Sequence, residues 1–319
     1  MMKIITFIQS ENGKINSVSL EALQASQTIA KLNNGSVSAV IFEENIPEIL
    51  KNYELDEILQ LTDTNLYSFN PLYYVKAMEE IISAENPNII TFGHTYETRD
   101  WVPRLSARLD LPFISDCIGI NTDTNLSFIR SIYQGKINSD VSVKDGNFIV
   151  SFQSGAFKLD EINEGTPSIR NLQIDLSKVE NIISQDTKFQ ETQSAVDLTQ
   201  AKVIISVGRG IGKEENLSIA RDLASCLNGE LASSRPVVDS GWLESYHQVG
   251  SSGQNVSPQL YLALGISGAI QHVVGMKSSK NILVINKDAN APIFEIADYG
   301  IVGDLFEIVP KLIEKIKNN

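Results

Sequence analysis

The stretch VIISVGRGIG, residues 203–212, is the clearest indication of the fold. Its first five residues form a run typical of a buried strand in a parallel sheet, and a glycine-rich turn comes directly after it. Such a turn before a helix points backbone N–H groups at an anion, and glycines at 208, 210 and 212 are expected to let phosphate oxygens approach the backbone. The spacing completes neither G-x-G-x-x-G nor a P-loop, so a plain tight turn is an open alternative.

Strands and helices alternate on both sides of this stretch. Towards the C-terminus we predict strands at 261–266, 281–285 and 299–302, and helices at 214–227 and 304–317. Towards the N-terminus we predict strands at 4–8, 37–42 and 88–92, a helix at 19–32 after a serine cap, and a helix at 100–109 with Pro103 in its first turn. Two more apolar runs, 128–133 and 147–152, predict an antiparallel extension at the edge of the first sheet.

This order of elements predicts an α/β chain of two domains. The first domain, residues 1–190, is a mostly parallel sheet with the antiparallel extension, and the second, residues 191–319, is Rossmann-like. Residues 184–200 are polar, poor in aromatic residues and without a strand pattern, which predicts that they form the linker.

Composition narrows the class of protein. The 319 residues carry a net charge of -13, which argues against binding to the phosphate backbone of nucleic acids. No apolar run approaches the roughly 20 residues that a membrane span needs. Cys117 and Cys226 form no disulfide framework, and no cluster of His, Cys, Asp and Glu has metal-ligand spacing. We also see no signal or transit pattern, so we expect a cytoplasmic location. We further expect no metal and no catalytic residues of a hydrolase.

The charge is unevenly distributed along the chain. Residues 1–200 carry a net charge of -12, residues 201–319 carry -1, and residues 245–276 contain no Lys, Arg, Asp or Glu. This uncharged window holds two of the three histidines and two loops rich in serine and glycine, as expected of a pocket for a large, mostly planar ligand. A buried core with turns is the alternative. His272 is a candidate ligand contact, although a lone histidine is more often a hydrogen-bonded packing residue, and His247 is interpreted as structural.

With these loops in place, the chain closely resembles the alpha subunits of electron transfer flavoproteins. The motifs that carry the resemblance are, in order, GRG at 208–210, ASSRPVVDSG at 232–241, QVG at 248–250, LYLALGISGAIQH at 260–272, INKD at 285–288, APIF at 291–294 and ADYGIVGDLF at 297–306. RLSARL at 104–109 and ISD at 114–116 extend it more loosely into the first domain.

The resemblance implies the FAD-carrying subunit of a heterodimer, with a beta subunit as partner and the second domain as the FAD-binding domain. Such a subunit accepts electrons from dehydrogenases, such as the acyl-CoA dehydrogenases of fatty acid beta-oxidation. It passes them to a quinone oxidoreductase or a similar acceptor. It is an electron carrier without a substrate-transforming site, and it inserts into no membrane.

The resemblance also implies the cofactor contacts, residue by residue. They are Arg209, Ser234, Arg235, Gln248, Val249, Gly250, Ser251, Ser252, Ser267, Gly268, Ala269, Ile270, Gln271, His272, Asn286, Asp304 and Leu305. Arg235 is placed over the isoalloxazine ring, where a fixed cation raises the potential for one-electron reduction. His272 is directed at the pyrimidine carbonyl of the flavin, where negative charge accumulates on reduction. The last three positions lie on the adenosine side.

One motif departs from the family pattern. The family has Val-Gly-Gln-Thr-Gly where this chain has Val-Gly-Ser-Ser-Gly at 249–253. Ser252 keeps the hydroxyl that the family's threonine offers near the flavin N5, whereas Ser251 is shorter than a glutamine and is not expected to reach as far. We expect FAD binding to persist with a somewhat altered redox potential.

Two alternatives belong to other classes. One is a nucleotide-dependent enzyme of similar architecture that binds NAD or thiamine diphosphate, and the other is a flavin-less scaffold, against which the retained Arg235, Ser252 and His272 argue. An absorbance spectrum of the purified protein separates them, since only the flavoprotein is coloured. We further hypothesise that the acidic first domain packs against the partner while the second stays mobile on its linker. Hydrogen exchange as slow over 184–200 as in the core would contradict that hypothesis.

Overall fold

The computed structural model describes residues 2–11, 13–122, 125–133, 135–159, 162–183 and 198–318. The chain divides into two compact units, Met1–Phe189 and Gln190–Asn319. Most of the predicted linker, residues 184–197, lies outside the described residues, so the linker stays a prediction. The α/β class predicted from the sequence is confirmed in both units.

The first unit is built on a nine-stranded sheet that is mostly parallel. The strands of this sheet are β1 (Lys3–Ile8), β4 (Ser36–Ile41), β5 (Glu57–Leu61), β6 (Ile89–Gly93), β7 (Phe113–Asn121), β8 (Ser127–Ile132), β9 (Ile137–Val141), β10 (Phe148–Phe152) and β11 (Ser168–Leu172). Strands β2 (Ser10–Glu11) and β3 (Lys14–Ile15) form a separate short hairpin. The order across the sheet is β11-β5-β4-β1-β6-β10-β7-β8-β9. Strand β8 is antiparallel to β7 and β9, which confirms the predicted antiparallel extension.

One strand of that extension is placed differently from the prediction. The run at 147–152 becomes β10, which lies in the interior of the sheet and pairs in parallel with both β6 and β7. All five of its residues are buried, and burial on both faces is typical of a central parallel strand. The turn at Gly146, with a φ of 91°, is present, but the strand after it crosses back into the sheet.

Helices cover both faces of this sheet. They are α1 (Ser17–Asn33), α2 (Pro71–Glu85) and α3 (Tyr96–Leu109). Helix α1 packs on one face through Leu23 and Ile29, which are fully buried, and α2 and α3 pack on the other. The predicted serine cap is wrong, because Asn16 caps α1 by accepting the N–H of Val18. Leu32, at the end of the predicted helix, is 57% exposed.

Helix α3 begins one turn earlier than predicted. Thr95 and Thr98 form a capping box, in which each side chain bonds the backbone N–H of the other. Pro103 consequently lies inside the helix and not in its first turn. A Thr-x-x-Thr signal therefore decides the start of this helix, and the proline, which lacks an N–H, is accommodated within it.

The second unit is built on a five-stranded sheet in which every neighbouring pair of strands is parallel. Its strands are β12 (Val203–Val207), β13 (Glu230–Ser233), β14 (Leu260–Leu264), β15 (Ile282–Asn286) and β16 (Tyr299–Val302), in the order β13-β12-β14-β15-β16. Its helices are α4 (Leu217–Cys226), α5 (Arg235–Asp239), α6 (Ile270–Val273) and α7 (Leu305–Lys317). The four predicted strands and the terminal helix are confirmed, while the helix predicted from 214 starts with a 3-10 turn and is α-helical only from Leu217.

The two faces of the second sheet are covered differently. Helices α4 and α7 pack on one face through Leu223 and Val309. The other face is covered mainly by connecting segments, through Val256, Met276 and Ile293. Because all five strands are parallel, their carboxyl ends meet at one edge, where ligands bind in open α/β sheets.

Candidate cofactor site

The predicted contact residues come together at the carboxyl edge of the second sheet. Arg209 follows β12, Ser234 and Arg235 follow β13, residues 267–272 follow β14, Asn286 ends β15, and Asp304 and Leu305 follow β16. Residues 248–252 join this edge through a bridge between Ser233 and Gln248 and a 2.9 Å hydrogen bond from the Val249 N–H to the Ser233 carbonyl. The chain reverses its direction across the sheet between β12 and β14, which is the usual ligand position.

At this switch point the glycine-rich turn packs against the loop after β14. A Cβ on Gly208 would lie 2.3 Å from the carbonyl oxygen of Gly265, and a Cβ on Gly210 would lie 2.7 Å from the Gly265 Cα. The Gly210 N–H donates to that same carbonyl at 3.0 Å. Access for phosphate oxygens, the reason expected for these two glycines, stays a prediction, and the structure adds a second reason. They are required because two backbone loops touch there.

The loop after β14 is the part of the edge with uncommitted donors. The backbone N–H groups of residues 267–271 donate to no acceptor among the described residues. Gly268 holds a φ of 88°, and its Cα packs so closely on Ile293 that a Cβ would lie 2.3 Å from the Ile293 nitrogen. Five consecutive free N–H groups on a loop shaped by such a glycine form a candidate donor set for an anion.

Two cations stand at the same edge. Arg209 is exposed in the turn after β12, and Arg235 is the first residue of α5. The Arg235 side chain is 67% exposed and its Nε lies 3.4 Å from a carboxylate oxygen of Asp239. An exposed ion pair of this kind is weak, so Arg235 is available to a ligand.

The segment 248–252 is held from within and exposes its two serines. The Gln248 Nε2 donates to the Ser252 Oγ at 2.9 Å, which leaves the proton of the Ser252 hydroxyl for a second partner. The Ser251 N–H donates to the Gln271 carbonyl at 2.7 Å. Gly250 has a φ of 138° and no room for a side chain, since a Cβ would lie 2.6 Å from the Gln271 carbonyl oxygen.

The ring of His272 points into the protein. The residue is 5% exposed, its Nδ1 lies 3.1 Å from the Val249 carbonyl oxygen, and its Nε2 lies 2.9 Å from the Tyr261 hydroxyl. Burial lowers the pKa of His272 to about 4, against a smaller opposite effect of the Val249 carbonyl, so the ring is neutral at pH 7. The resemblance implied a ring directed at the flavin, whereas here both ring nitrogens are engaged by the protein.

The residues assigned to the adenosine side are also engaged locally. Asn286 donates to the Ile266 carbonyl at 2.7 Å and accepts the Asp288 N–H at 3.0 Å. Asp304 caps α7 and pairs with Lys287 at 2.9 Å, and its pKa is lowered by the hydrogen bond from Lys287 and by the cap. These contacts tie the ends of β14, β15 and β16 together and so shape the edge.

Sequence reasoning assigned no role to Tyr261, which the structure places at the centre of this network. Tyr261 is fully buried in β14, and burial raises its pKa well above the usual value. The hydroxyl of a tyrosine inside a buried parallel strand needs a hydrogen-bond partner, and this requirement could have singled out Tyr261 in the sequence. Ser206 on the neighbouring strand lies beside the Tyr261 hydroxyl but makes no regular hydrogen bond.

The uncharged window contains both core residues and residues of the candidate site. It contains β14, whose buried residues are core, and the exposed residues Ser251, Ser252, Ser267 and Gln271, which belong to the site. The donor set of free amides, two exposed arginines and a serine hydroxyl fits a flavin dinucleotide, which has a diphosphate and polar atoms along one edge of its ring system.

No helix among the described residues has the length and hydrophobicity to cross a membrane. The same residues contain no group of three or more His, Cys, Asp or Glu side chains that could hold a metal ion.

The buried His247 bonds the backbone through its Nδ1, which lies 2.6 Å from the Leu231 carbonyl oxygen.

Comparison with known proteins gives the same result for both units. Residues 197–277 match the profile described as the electron transfer flavoprotein FAD-binding domain, and residues 4–177 match that of the electron transfer flavoprotein domain. The chain is 37% identical to electron transfer flavoprotein subunit alpha of Bacillus subtilis, over 99% of this chain and 97% of that protein. It is 36% identical to the subunit of the same name from Thermoanaerobacterium thermosaccharolyticum, over 98% and 96%. It is 32% identical to acryloyl-CoA reductase electron transfer subunit beta of Anaerotignum propionicum, over 98% and 95%.

Proposed function

This chain belongs to the electron transfer flavoprotein alpha-subunit family, as its motifs predicted, and we propose that its FAD is held at the carboxyl edge of the second sheet. The family assignment makes the second unit an FAD-binding domain and electron transfer the function of the chain. The alternative, an NAD- or thiamine diphosphate-dependent enzyme, is not favoured. The single observation that carries the proposed site is the run of free backbone N–H groups at 267–271.

These amides are the proposed holders of the cofactor's diphosphate. Their N–H groups belong to a loop that is exposed except at Gly268, and Gly268 and its contact with Ile293 determine the loop's shape before any ligand arrives. Hydrogen bonds to a charged acceptor contribute about 1.5–3 kcal/mol each. A preformed donor set avoids the entropy cost of ordering the loop on binding.

Other residues supply charge and hydroxyl groups to the flavin end. Arg209 and Arg235 offer exposed cations, and a cation near the flavin favours the added negative charge of reduction. The Ser252 hydroxyl has a proton free to donate, which supports the proposal that it bonds the flavin N5. When bound, the flavin supplies the electron-accepting chemistry, and these side chains set its environment.

We assign the other contact residues of the sequence prediction to shaping this edge. Ser234 precedes α5, and Asn286, Asp304 and Leu305 join three strand ends through contacts within the protein. Gln248, Val249, Gly250 and Ser251 form the wall that carries Ser252. His272 acts through Val249 and not by a direct bond from its ring.

The partners and the route of electrons are part of the proposal. We propose a heterodimer with a beta subunit, electrons received from dehydrogenases such as acyl-CoA dehydrogenases, and a quinone oxidoreductase or related acceptor. The chain then carries electrons and transforms no substrate. A reducing, cytoplasmic setting is in keeping with Cys117 and Cys226, which are both free.

A proline substitution tests the diphosphate site directly. Ala269 has a φ of -55°, which suits proline, so Ala269→Pro removes one N–H from the donor run without a change in that angle. We expect roughly 10- to 100-fold weaker FAD binding, because one charge-assisted hydrogen bond is lost. FAD release from the full chain, co-expressed with its beta-type partner, is followed by flavin fluorescence.

Ala269→Ser is the matched control, because it keeps the N–H and should bind FAD like the wild type. Equal FAD affinity for the proline and serine variants would contradict the proposed site. A wild-type complex that is colourless and releases no flavin would contradict the proposed function itself.

A further inference from the structure

Three buried groups link the two sides of the proposed flavin site, which are the loop at 267–271 and the segment at 248–252. Tyr261 lies in the central strand β14, His272 in α6, and Val249 in the segment that carries the exposed serines. The Tyr261 hydroxyl and the His272 Nε2 are 2.9 Å apart, and the His272 Nδ1 and the Val249 carbonyl oxygen are 3.1 Å apart. The exposed fractions of the three residues are 0%, 5% and 1%, so water does not compete for these bonds.

The chemistry of the three groups assigns the protons. A carbonyl oxygen only accepts, so the proton of the neutral ring must be on Nδ1 and donated to Val249. The Nε2 of that ring is then an acceptor, and the Tyr261 hydroxyl is its donor. Burial keeps both partners neutral, since it lowers the pKa of His272 and raises that of Tyr261. The two bonds therefore run in one direction, from Tyr261 through His272 to Val249.

The bond to Val249 matters because the site residues come directly after it in the chain. They are Gly250 and the two exposed serines, and the Ser251 N–H bonds the Gln271 carbonyl at 2.7 Å. Two hydrogen bonds, one donated by His272 to this segment and one accepted by Gln271 from it, thus fasten the 248–252 segment to the start of α6. The free amides of 267–271 and the Ser252 hydroxyl become parts of one rigid wall.

We propose that Tyr261 is a positioning residue of the flavin site, which fixes the tautomer of His272 so that the ring holds Val249 and the 248–252 segment in place. This inference rests on the proposed function, because the wall is the one assigned to FAD. Without the hydroxyl, Nε2 is a buried acceptor with no donor, and the other tautomer becomes favourable. That tautomer has no proton on Nδ1, so the Val249 carbonyl is released.

The first test is Tyr261→Phe in the full chain with its beta-type partner. Nitrogen NMR of the complex labelled with ¹⁵N-histidine distinguishes a protonated from an unprotonated ring nitrogen, and His272→Asn identifies the His272 signals. We expect the Nδ1–H tautomer alone in the wild type, a mixture of tautomers in Tyr261→Phe, and about tenfold weaker FAD binding.

Tyr74→Phe is the matched control. Tyr74 is also buried, donates to the Leu66 carbonyl at 3.0 Å, and lies in the first unit. It loses an equivalent hydrogen bond, so it should leave both the His272 signals and FAD binding unchanged. A change of similar size in the control would show that the effect is general destabilisation, and would overturn the proposal.

A double-mutant cycle separates positioning from packing. The side-chain nitrogen of an asparagine lies where the histidine Nδ1 lies, so His272→Asn can still donate to Val249 without a partner at Nε2. In that background Tyr261→Phe should cost no further FAD affinity, whereas a purely packing role for the hydroxyl predicts the same loss in both backgrounds.

The outcomes also separate this inference from the proposed function. A wild-type complex without FAD, but with a tautomer change in Tyr261→Phe, would contradict the flavin site and leave the hydrogen-bonded link intact. A wild-type complex with FAD, together with an unchanged tautomer and unchanged FAD binding in Tyr261→Phe, would overturn the positioning role alone.

Discussion

At the scale of single residues, burial moves two side chains towards neutrality from opposite directions. His272 in the second unit is kept unprotonated. Glu21 in α1 is 4% exposed, and desolvation raises its pKa to about 7, against the lowering effect of hydrogen bonds from the backbone of residues 155–157. A carboxyl group that accepts backbone N–H groups but lacks solvent is expected to be partly protonated near neutral pH.

Glu21 should make the first unit less stable as the pH rises. Its pKa in the folded chain exceeds the value of 4.5 for the free group, so its stabilising contribution is full below pH 4.5 and is lost as the pH rises through about 7. Glu21→Gln should remove this loss, a gain on the order of 3 kcal/mol at pH 8 relative to pH 4.5. Chemical unfolding followed by the fluorescence of buried Trp101, in a Trp242→Phe background, measures it.

The control for this prediction is Glu164→Gln, which changes an exposed carboxylate of the same unit. It should leave the pH dependence of unfolding as it is in the wild type. If Glu21→Gln and the wild type lose stability in parallel between pH 5 and pH 8, another group is responsible for the pH dependence.

At the scale of elements, the second sheet shows why a glycine pattern is ambiguous in sequence. The turn after β12 and the loop after β14 belong to neighbouring strands, and Gly208, Gly210 and Gly265 let their backbones touch. A pattern of spaced glycines predicts close backbone approach, but not whether a phosphate or another loop approaches. In this chain the loop after β14 approaches the two glycines of the turn, and the free donors lie at 267–271.

Gly210→Ala should therefore damage the fold before it damages cofactor binding. The added Cβ would lie within 2.8 Å of two backbone atoms of Gly265, which cannot move aside as a side chain would. We expect a loss of about 1–3 kcal/mol in the free energy of unfolding of the flavin-free chain, measured by calorimetry.

Gly241→Ala is the control for that substitution. Gly241 has a φ of 73°, but nothing lies within 4 Å of its missing Cβ, so only the backbone strain is added, about 1 kcal/mol. Should Gly210→Ala weaken FAD binding while the flavin-free chain keeps its stability, the glycine would serve the phosphate after all.

Most of the helices and strands were predictable from the sequence. Each exception depends either on a signal nearby in the chain or on pairing with strands far along the chain. Apolar runs identified the strands of the second sheet and the terminal helix, because side-chain periodicity is a local property. The start of α3 depends on the capping box of Thr95 and Thr98, which is a local signal that the sequence contains. The interior position of β10 depends on pairing with β6 and β7, which lie far from it along the chain.

At the scale of the whole molecule, charge and cofactor are divided between the two halves of the chain. Residues 1–200 carry a net charge of -12 and residues 201–319 carry -1. In the first unit many ion pairs are exposed, such as Arg104 with Asp100, and contribute little to stability. A large net charge of one sign acts instead at a distance, on solubility and on the rate of encounter with a partner.

The association of the chain with its beta-type partner should consequently depend on salt. If the acidic half meets the partner, raising the ionic strength from about 50 mM to about 500 mM should slow association about tenfold and change dissociation much less. Stopped-flow mixing of the separate subunits measures both rates. Sucrose at matched viscosity is the control, and an association rate that ignores salt would argue that the acidic half does not steer the encounter.

The sequence by itself determined the α/β class, the family and the strands that the predicted contacts follow, because apolar periodicity and the motifs between the runs are properties of local order. Only the tertiary structure decided which groups within the protein those residues contact. It paired the ring of His272 with Tyr261 and Val249, and it placed the loop after β14 against Gly208 and Gly210. Those pairings join residues from separate strands and loops, and which donor meets which acceptor there is set by the packing of the whole sheet.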